Sequence, residues 1–378
     1  MKKSFKKVIS LGLVLSLMLL MLAGCGKKVE EGVFVIGGSG PLTGGAASYG
    51  ISVKQGAEIA IEEINEAGGV KVGKEIYQLK LKFEDDEAEK DKAVTAYNSL
   101  MDSGVNAIMG NVTSGSTAAI IDLTKEDGIL QLTPSGSAQE LTKHDNAFRL
   151  CFTDPFQGVE MANYAVNESK YMTAGIIYDN SDDYSTGVME SFVNQFEANG
   201  GTVVAKESFV GDDVDFTTQL TSIKDKSPDV IFVPSYYQEA AYITTQAAEL
   251  GMNIPFLGSD GWDGVLAQIV DAADLEGAIF LSPFLASDTA EETVSFVKKY
   301  NDKYKAIPDQ FAADGYDSVY VIKAAMEKAG TIKNADLIKA MTEISIKGLT
   351  GDISFSANGE PNKGAKFIVI ENGEYKVK

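Results

Sequence analysis

Two periodicities alternate along this chain. Short runs rich in β-branched and aromatic residues (VFVIGG, YQLKLKF, VNAIMG, GILQLT) are separated by amphipathic stretches at 51–67, 89–102 and 116–127. After Arg149 the order repeats, with TAGIIYD, GTVVAKESF, PDVIFVP, IPFLGSD and GAIFLS as strands and helical stretches near 186–199, 216–224 and 239–250. Strands alternating with helices of this length predict βα units on parallel sheets. Two successive rounds predict two similar doubly wound α/β lobes. Three more helical stretches follow at 289–304, 317–329 and 335–341, with no strand run between them, and the chain ends on a turn-rich hairpin pattern. Neither part makes a domain alone. The helices are therefore assigned back to the first lobe (33–151 plus 283–343) and the tail to the second (152–282 plus 344–378). A ligand is expected between the lobes, beyond the carboxyl ends of the strands.

The first 25 residues break this pattern. Four lysines precede an apolar run from Val8 to Ala23, which is short for a membrane span and reads as a secretion signal. It closes on Leu22-Ala23-Gly24-Cys25, which resembles the bacterial lipobox. That resemblance implies lipidation of Cys25 and a soluble body tethered through residues 26–32 to the outer face of the cell membrane. Lipidation leaves Cys151 without a disulfide partner, and FRLCFTD suggests that it is buried.

Charge narrows the partners. The formal net charge of −21 becomes −25 without the signal, with 29 basic residues against 54 acidic ones. Such a body repels nucleic acid. About 350 remaining residues exceed one ordinary core, in agreement with two lobes.

The loops after the strands carry the candidate chemistry. GNVTSGSTAAI (110–120) spaces two glycines like a phosphate loop, but Ser116 stands where its lysine belongs. VFVIGGSGPLTGG does not spell the dinucleotide fingerprint, and no G-x-S-x-G elbow occurs. The single histidine, His144, lies in a polar stretch that suits a surface residue, so the serines lack a base. The pairs Asp85-Asp86 and Asp182-Asp183 have no metal motif around them and read as turn, cap or rim carboxylates. No cofactor is expected.

Noncovalent capture of an anion fits better. Ser114 and Ser116 fall at a helix start, where free N–H groups and the helix dipole favour a carboxylate. TPSGS, about twenty residues later, offers backbone groups at Ser135 and a hydroxyl with its N–H at Ser137. Helix capping alone is the rival role for these serines. Tyr49, Tyr184, Tyr236, Asp260 and Trp262 also follow predicted strands. Their rings can cover a ligand side chain, and Asp260 can neutralise an ammonium. Hydroxyls on one lobe facing an acid and aromatics on the other describe a site for a zwitterion.

IGGSGPLTGGAASYG, GAEIAIEEINEAGGV, LKFEDDEAEKDKAV, GNVTSGSTAAI, ILQLTPSGSAQELT and FAADGYDSVYV occur in an order and spacing that resemble the branched-chain amino-acid (leucine/isoleucine/valine) substrate-binding proteins of ABC transporters, in their Gram-positive lipoprotein form. The resemblance implies the type I periplasmic-binding-protein fold: two doubly wound parallel-sheet lobes joined by three crossings and closing around a solute. It implies a monomer, without catalysis, that delivers an amino acid to permease subunits. It places Ser114 and Ser137 on the ligand carboxylate, Ser137 also on the ammonium, and Ser135 through its backbone. Asp260 stands where the family often has glutamate, with Tyr49, Tyr184 and Tyr236 lining the site. Trp262 is added here as a wall for the side chain. Ser-Gly-Ser replaces the more apolar triplet usual after the loop proline. That leaves small amides, urea-like compounds and polar or aromatic amino acids as alternative ligands. A ligand-sensing surface receptor is an alternative role, and an enzyme a remote one.

Overall fold

The computed structural model describes residues 32–211 and 213–378. The secretion signal, Cys25 and most of the expected tether lie outside the described residues.

The first lobe is built from β1 (Val33–Gly40), α1 (Ala47–Glu66), β2 (Val70–Val72), β3 (Glu75–Asp85), α2 (Lys90–Asp102), β4 (Ala107–Gly110), α3 (Ser114–Asp127), β5 (Gln131–Thr133) and β6 (Ala147–Arg149). Its sheet order is β2-β3-β1-β4-β5-β6, parallel except for the β2–β3 hairpin. The second lobe follows with α4 (Asp154–Asn163), β7 (Thr173–Asp179), α5 (Asp183–Ala198), β8 (Thr202–Phe209), α6 (Thr217–Lys226), β9 (Val230–Val233), α7 (Tyr237–Glu249), β10 (Phe256–Gly258) and β11 (Ile279–Ser282). Its strands run β8-β7-β9-β10-β11, the same winding as β3-β1-β4-β5-β6. The chain then returns to the first lobe with α8 (Glu291–Tyr304), α9 (Gln310–Ala329) and α10 (Asn334–Met341).

The ending is more divided than its pattern suggested. A hairpin of β12 (Ser345–Gly348) and β13 (Gly351–Ser354) is anchored to the first lobe, where Asp317 of α9 accepts from Leu349 N and Thr350 N, both at 2.9 Å. Only β14 (Lys366–Glu371) and β15 (Glu374–Val377) join the second sheet, antiparallel to β11 and to each other. The chain therefore passes between the lobes three times: after β6, after β11 and after β13. Buried Arg149 ties the first crossing to the third through paired bonds to Glu360 at 3.0 and 2.9 Å.

Helix α9 is seated on α1 by two glycines. A Cβ on Gly56 would lie 1.8 Å from Ala312 O, and one on Gly315 2.1 Å from Val53 O. No larger residue lets these backbones approach so closely. This contact accounts for glycines within the helical stretches GAEIAIEE and FAADGYD, and it brings the start of α9 to the cleft. The strands meanwhile are buried on both faces: β4, β5, β9 and β11 contain no exposed residue. In each sheet the connections reverse direction beside the central strand, so the loops after β1 and β4, and those after β7 and β9, splay apart. That is where a doubly wound sheet offers a crevice.

Candidate functional site

A cavity lies between these two switch points, lined by Tyr49, Val112, Thr113, Ser114, Ser135, Ser137, Tyr184, Tyr236, Asp260, Gly261 and Phe311. The lobes are closed over it.

The first-lobe pole is the start of α3. Thr113 is the N-cap, in extended conformation, yet its hydroxyl makes no capping bond. The first-turn N–H groups therefore point their partial positive charge toward the cavity without a side-chain partner. Ser114 Oγ accepts from Ser137 N at 3.0 Å and from Ala138 N at 3.1 Å. Both lone pairs are thereby occupied, and the hydroxyl hydrogen remains to be donated. The two serine loops are thus one unit, with Ser114 obliged to act as a donor. Ser135 Oγ donates to Val112 O at 2.7 Å, which leaves its backbone as the free part. Beneath them Asn111 Nδ2 and Ser39 Oγ both donate to Asp86, while Asp85 accepts from Leu42 N and Thr43 Oγ1. The Asp85-Asp86 pair holds loops.

The second-lobe pole is acidic. Asp260 opens a 3₁₀ turn after β10, and its N–H donates to Gln157 Oε1 at 2.9 Å. Its Oδ1 accepts from Tyr184 OH at 2.7 Å. Burial pushes its carboxyl up to about 6, against the lowering effect of the Tyr184 and Gln157 hydrogen bonds. No cation is paired with it among the described residues. The Tyr184 and Tyr236 rings stack at 5.2 Å, Tyr49 meets Tyr236 edge-on at 5.5 Å, and Phe311 lies 4.2 Å from Tyr49. These rings form the apolar wall between the poles.

Tyr49 also closes the site. Its hydroxyl donates to Gly261 O at 2.5 Å and accepts from Tyr237 N at 3.0 Å, both across the cleft. Gln310 at the start of α9 adds bonds to Asp260 O and, through its N–H, to Asp263. At the rim, Lys90 pairs with Asp183 at 2.8 Å, a half-exposed contact of small energetic value.

Seven of the eight residues singled out in the sequence line this cavity, and Trp262 does not. It is fully buried, donates Nε1–H to Val233 O at 2.8 Å and packs on Phe256. The 3₁₀ turn sends Asp260 toward the cleft and the indole back beneath the sheet, where Gly258 leaves it room. The aromatic wall is supplied instead by Phe311, which the sequence reading left unassigned within FAADGYDSVYV. Thr113 was also missed; a threonine directly before the helix start was the available signal. Ser116 is buried but does not line the cavity. His144 forms a surface contact with Asp122 at 2.6 Å, and buried Cys151 donates to Gly136 O. No group of three or more His, Cys, Asp or Glu side chains is arranged to hold a metal among the described residues.

Two winding-matched lobes closed on a small cavity with an N–H pole and an acid pole define a solute-binding protein. The periplasmic binding protein family matches residues 34–374. The Leu/Ile/Val-binding protein homolog 3 of Brucella melitensis biotype 1 is 31% identical over 330 residues, 86% of this chain and 88% of that one. Among solved structures, the leucine-binding protein LivK of Thermotoga maritima superposes with a TM-score of 0.85 at 29% identity, covering 92% of this chain and 98% of its own. LivJ of Streptococcus pneumoniae, solved with isoleucine, gives 0.84 at 32% identity, covering 91% and 98%. The chain belongs to the periplasmic binding protein family, among the branched-chain amino-acid type substrate-binding proteins of ABC transporters. It is a non-catalytic solute receptor of an importer, acting outside the cytoplasm.

Proposed function

We propose that the protein captures a zwitterionic amino acid with a small apolar side chain, branched-chain or closely related, and delivers it to its permease. The observation that carries this reading is the opposition of poles across one cavity: Ser114 and the α3 start on one side, unpaired Asp260 on the other. The α-carboxylate takes the Ser114 hydroxyl, the free backbone of Ser135, the Ser137 hydroxyl and Thr113. The α-ammonium faces Asp260 and Ser137. The side chain lies among Tyr49, Tyr184, Tyr236, Val112 and Phe311. The extra polarity of Ser-Gly-Ser does not argue for a polar ligand, because Ser135 Oγ and Ser137 N are engaged within the loops. The names of the relatives, Leu/Ile/Val-binding protein and leucine-binding protein, support the same class.

Capture needs no chemical step. An open form takes the solute on the first lobe, the second closes on it, and the closed body docks on a permease driven by an ATPase on the cytoplasmic side. Selectivity follows because a solute lacking either charge leaves a buried partner unpaired. The protein acts as a monomer, tethered through lipidated Cys25. Calorimetry against the twenty amino acids and their deaminated analogues tests the binding reading: aliphatic amino acids are expected to bind and deaminated analogues to bind far more weakly. Equal affinity for both sets would overturn it. Membrane release of a Cys25→Ala variant tests the anchor, and retention of that variant would remove it.

A further inference from the structure

The 3₁₀ turn that carries Asp260 (Asp260–Trp262) is held from both lobes. Within its own lobe, Gln157 of α4 accepts the Asp260 N–H on Oε1 at 2.9 Å. From the first lobe, Gln310 at the start of α9 donates from Nε2 to Asp260 O at 2.9 Å and from its backbone N–H to Asp263 Oδ2 at 2.8 Å. One residue of the first lobe thus grips the turn at its first residue and just past its last. Both glutamine side chains are buried, and each commits one end of its carboxamide to the Asp260 main chain. The other ends, Gln157 Nε2 and Gln310 Oε1, have no hydrogen-bond partner among the described residues.

These bonds are not what the fold requires. Asp260 O already accepts from Asp263 N at 3.0 Å inside the turn, so the Gln310 bond does not rescue an unpaired carbonyl. Nor does the Gln310 side chain serve the start of its own helix. There Asp309 accepts from Ala312 N at 2.9 Å and is itself held by Ser52 Oγ at 2.7 Å. Burying a carboxamide with one end unpaired costs stability. What the two side chains share is Asp260, the acid pole of the site. A carboxylate on a three-residue turn rocks with that turn. Pinning the peptide groups on both sides of its Cα fixes where the side chain leaves the backbone. Charge-assisted hydrogen bonds depend on that placement, because they weaken steeply away from linear geometry.

We propose that Gln310 and Gln157 are positioning residues for Asp260, and that Gln310, coming from the opposite lobe, sets the acid pole only when the lobes close. The inference rests on the zwitterion reading above. Neither glutamine lines the cavity, so both act through Asp260. In the open form Gln310 is withdrawn with α9, and the turn keeps Gln157 and its own internal bond. Closure brings the second carboxamide onto Asp260 O, and the carboxylate then meets the ammonium in its best geometry. Recognition of the amine is thereby tied to closure. A solute without an amine gains nothing from the clamp.

The test uses Gln310→Met, which keeps the reach, removes the donor and leaves the backbone bond to Asp263 in place. Leucine and 4-methylpentanoate (leucine without its amine) are the probes. Calorimetry is expected to show leucine affinity reduced by about tenfold and 4-methylpentanoate affinity, read by competition, reduced by less than about threefold. In an Asp260→Asn background the same substitution is expected to reduce leucine affinity by less than about threefold, because the charge it positions is gone. Gln157→Met, on the other arm and in the other lobe, is expected to show the same leucine-selective loss. Urea unfolding of ligand-free Gln310→Met is expected at the wild-type midpoint. A structural residue or a simple latch would instead lower affinity for both probes equally, and by the same factor in the Asp260→Asn background. That result, or unchanged leucine affinity, would overturn the proposal. Wild-type protein that binds no amino acid, or Asp260→Asn that loses no leucine affinity, would overturn the zwitterion reading as well, and both are read without any glutamine variant.

Discussion

Ser114 has one hydrogen and two lone pairs, and the fold has taken both lone pairs. Ser114→Ala therefore removes the carboxylate donor and strands Ser137 N and Ala138 N in a buried site. Ligand affinity is predicted to fall by about 30- to 100-fold, or roughly 2–3 kcal/mol. Calorimetry showing less than a threefold loss would disprove the donor role. Asp260 gives a pH signature. In the empty cavity its carboxyl sits near 6, raised by burial. A bound ammonium lowers it, so binding expels a proton wherever Asp260 is protonated beforehand. Affinity is accordingly expected to be level above about pH 7 and to fall as pH drops through 6, approaching tenfold per unit. Asp260→Asn should flatten this profile, and an unchanged profile in that variant would reassign the titration.

At the scale of elements, the two-backbone contact of α1 with α9 decides where Phe311 and Gln310 stand. Gly315→Ala places a methyl against Val53 O. It is predicted to cost about 2–3 kcal/mol of stability, measured by urea unfolding, and to weaken ligand binding because the start of α9 is displaced. Wild-type stability in this variant would show that the helices have slack. The helical runs at 51–67 and 116–127 were legible from apolar spacing, and their structural starts lie only a few residues earlier, at Ala47 and Ser114. Helix α4 was not read. Pro155 follows at once on Asp154, Gly158 interrupts the apolar spacing, and the helix is only ten residues long. Strands β2 and β6, three residues each, were not read.

At the scale of the whole molecule, Tyr49 joins the two halves. Tyr49→Phe removes the hydroxyl that bridges Gly261 O and Tyr237 N while keeping the ring. The closed form loses about 1–1.5 kcal/mol. Ligand affinity should fall about tenfold, and solution scattering at one sub-saturating ligand concentration should show a larger radius of gyration than for the wild type. If both stay at wild-type values, the clasp does not govern closure.

Alternation of strand and helix, the hydroxyl loops after β4 and β5, the second-lobe aromatics and the acid after β10 all followed from residues within a few positions of each other. Local spacing carries that information because it reflects which face of an element is apolar and where a helix begins. Tertiary structure decided the rest. It turned Trp262 into the core and brought in Phe311 from α9, joined Tyr49 to a carbonyl 212 positions away, and set Gln310 of α9 on the turn that bears Asp260. Each of these depends on the meeting of segments from different crossings of the chain, and no local pattern encodes which side chains then face one another.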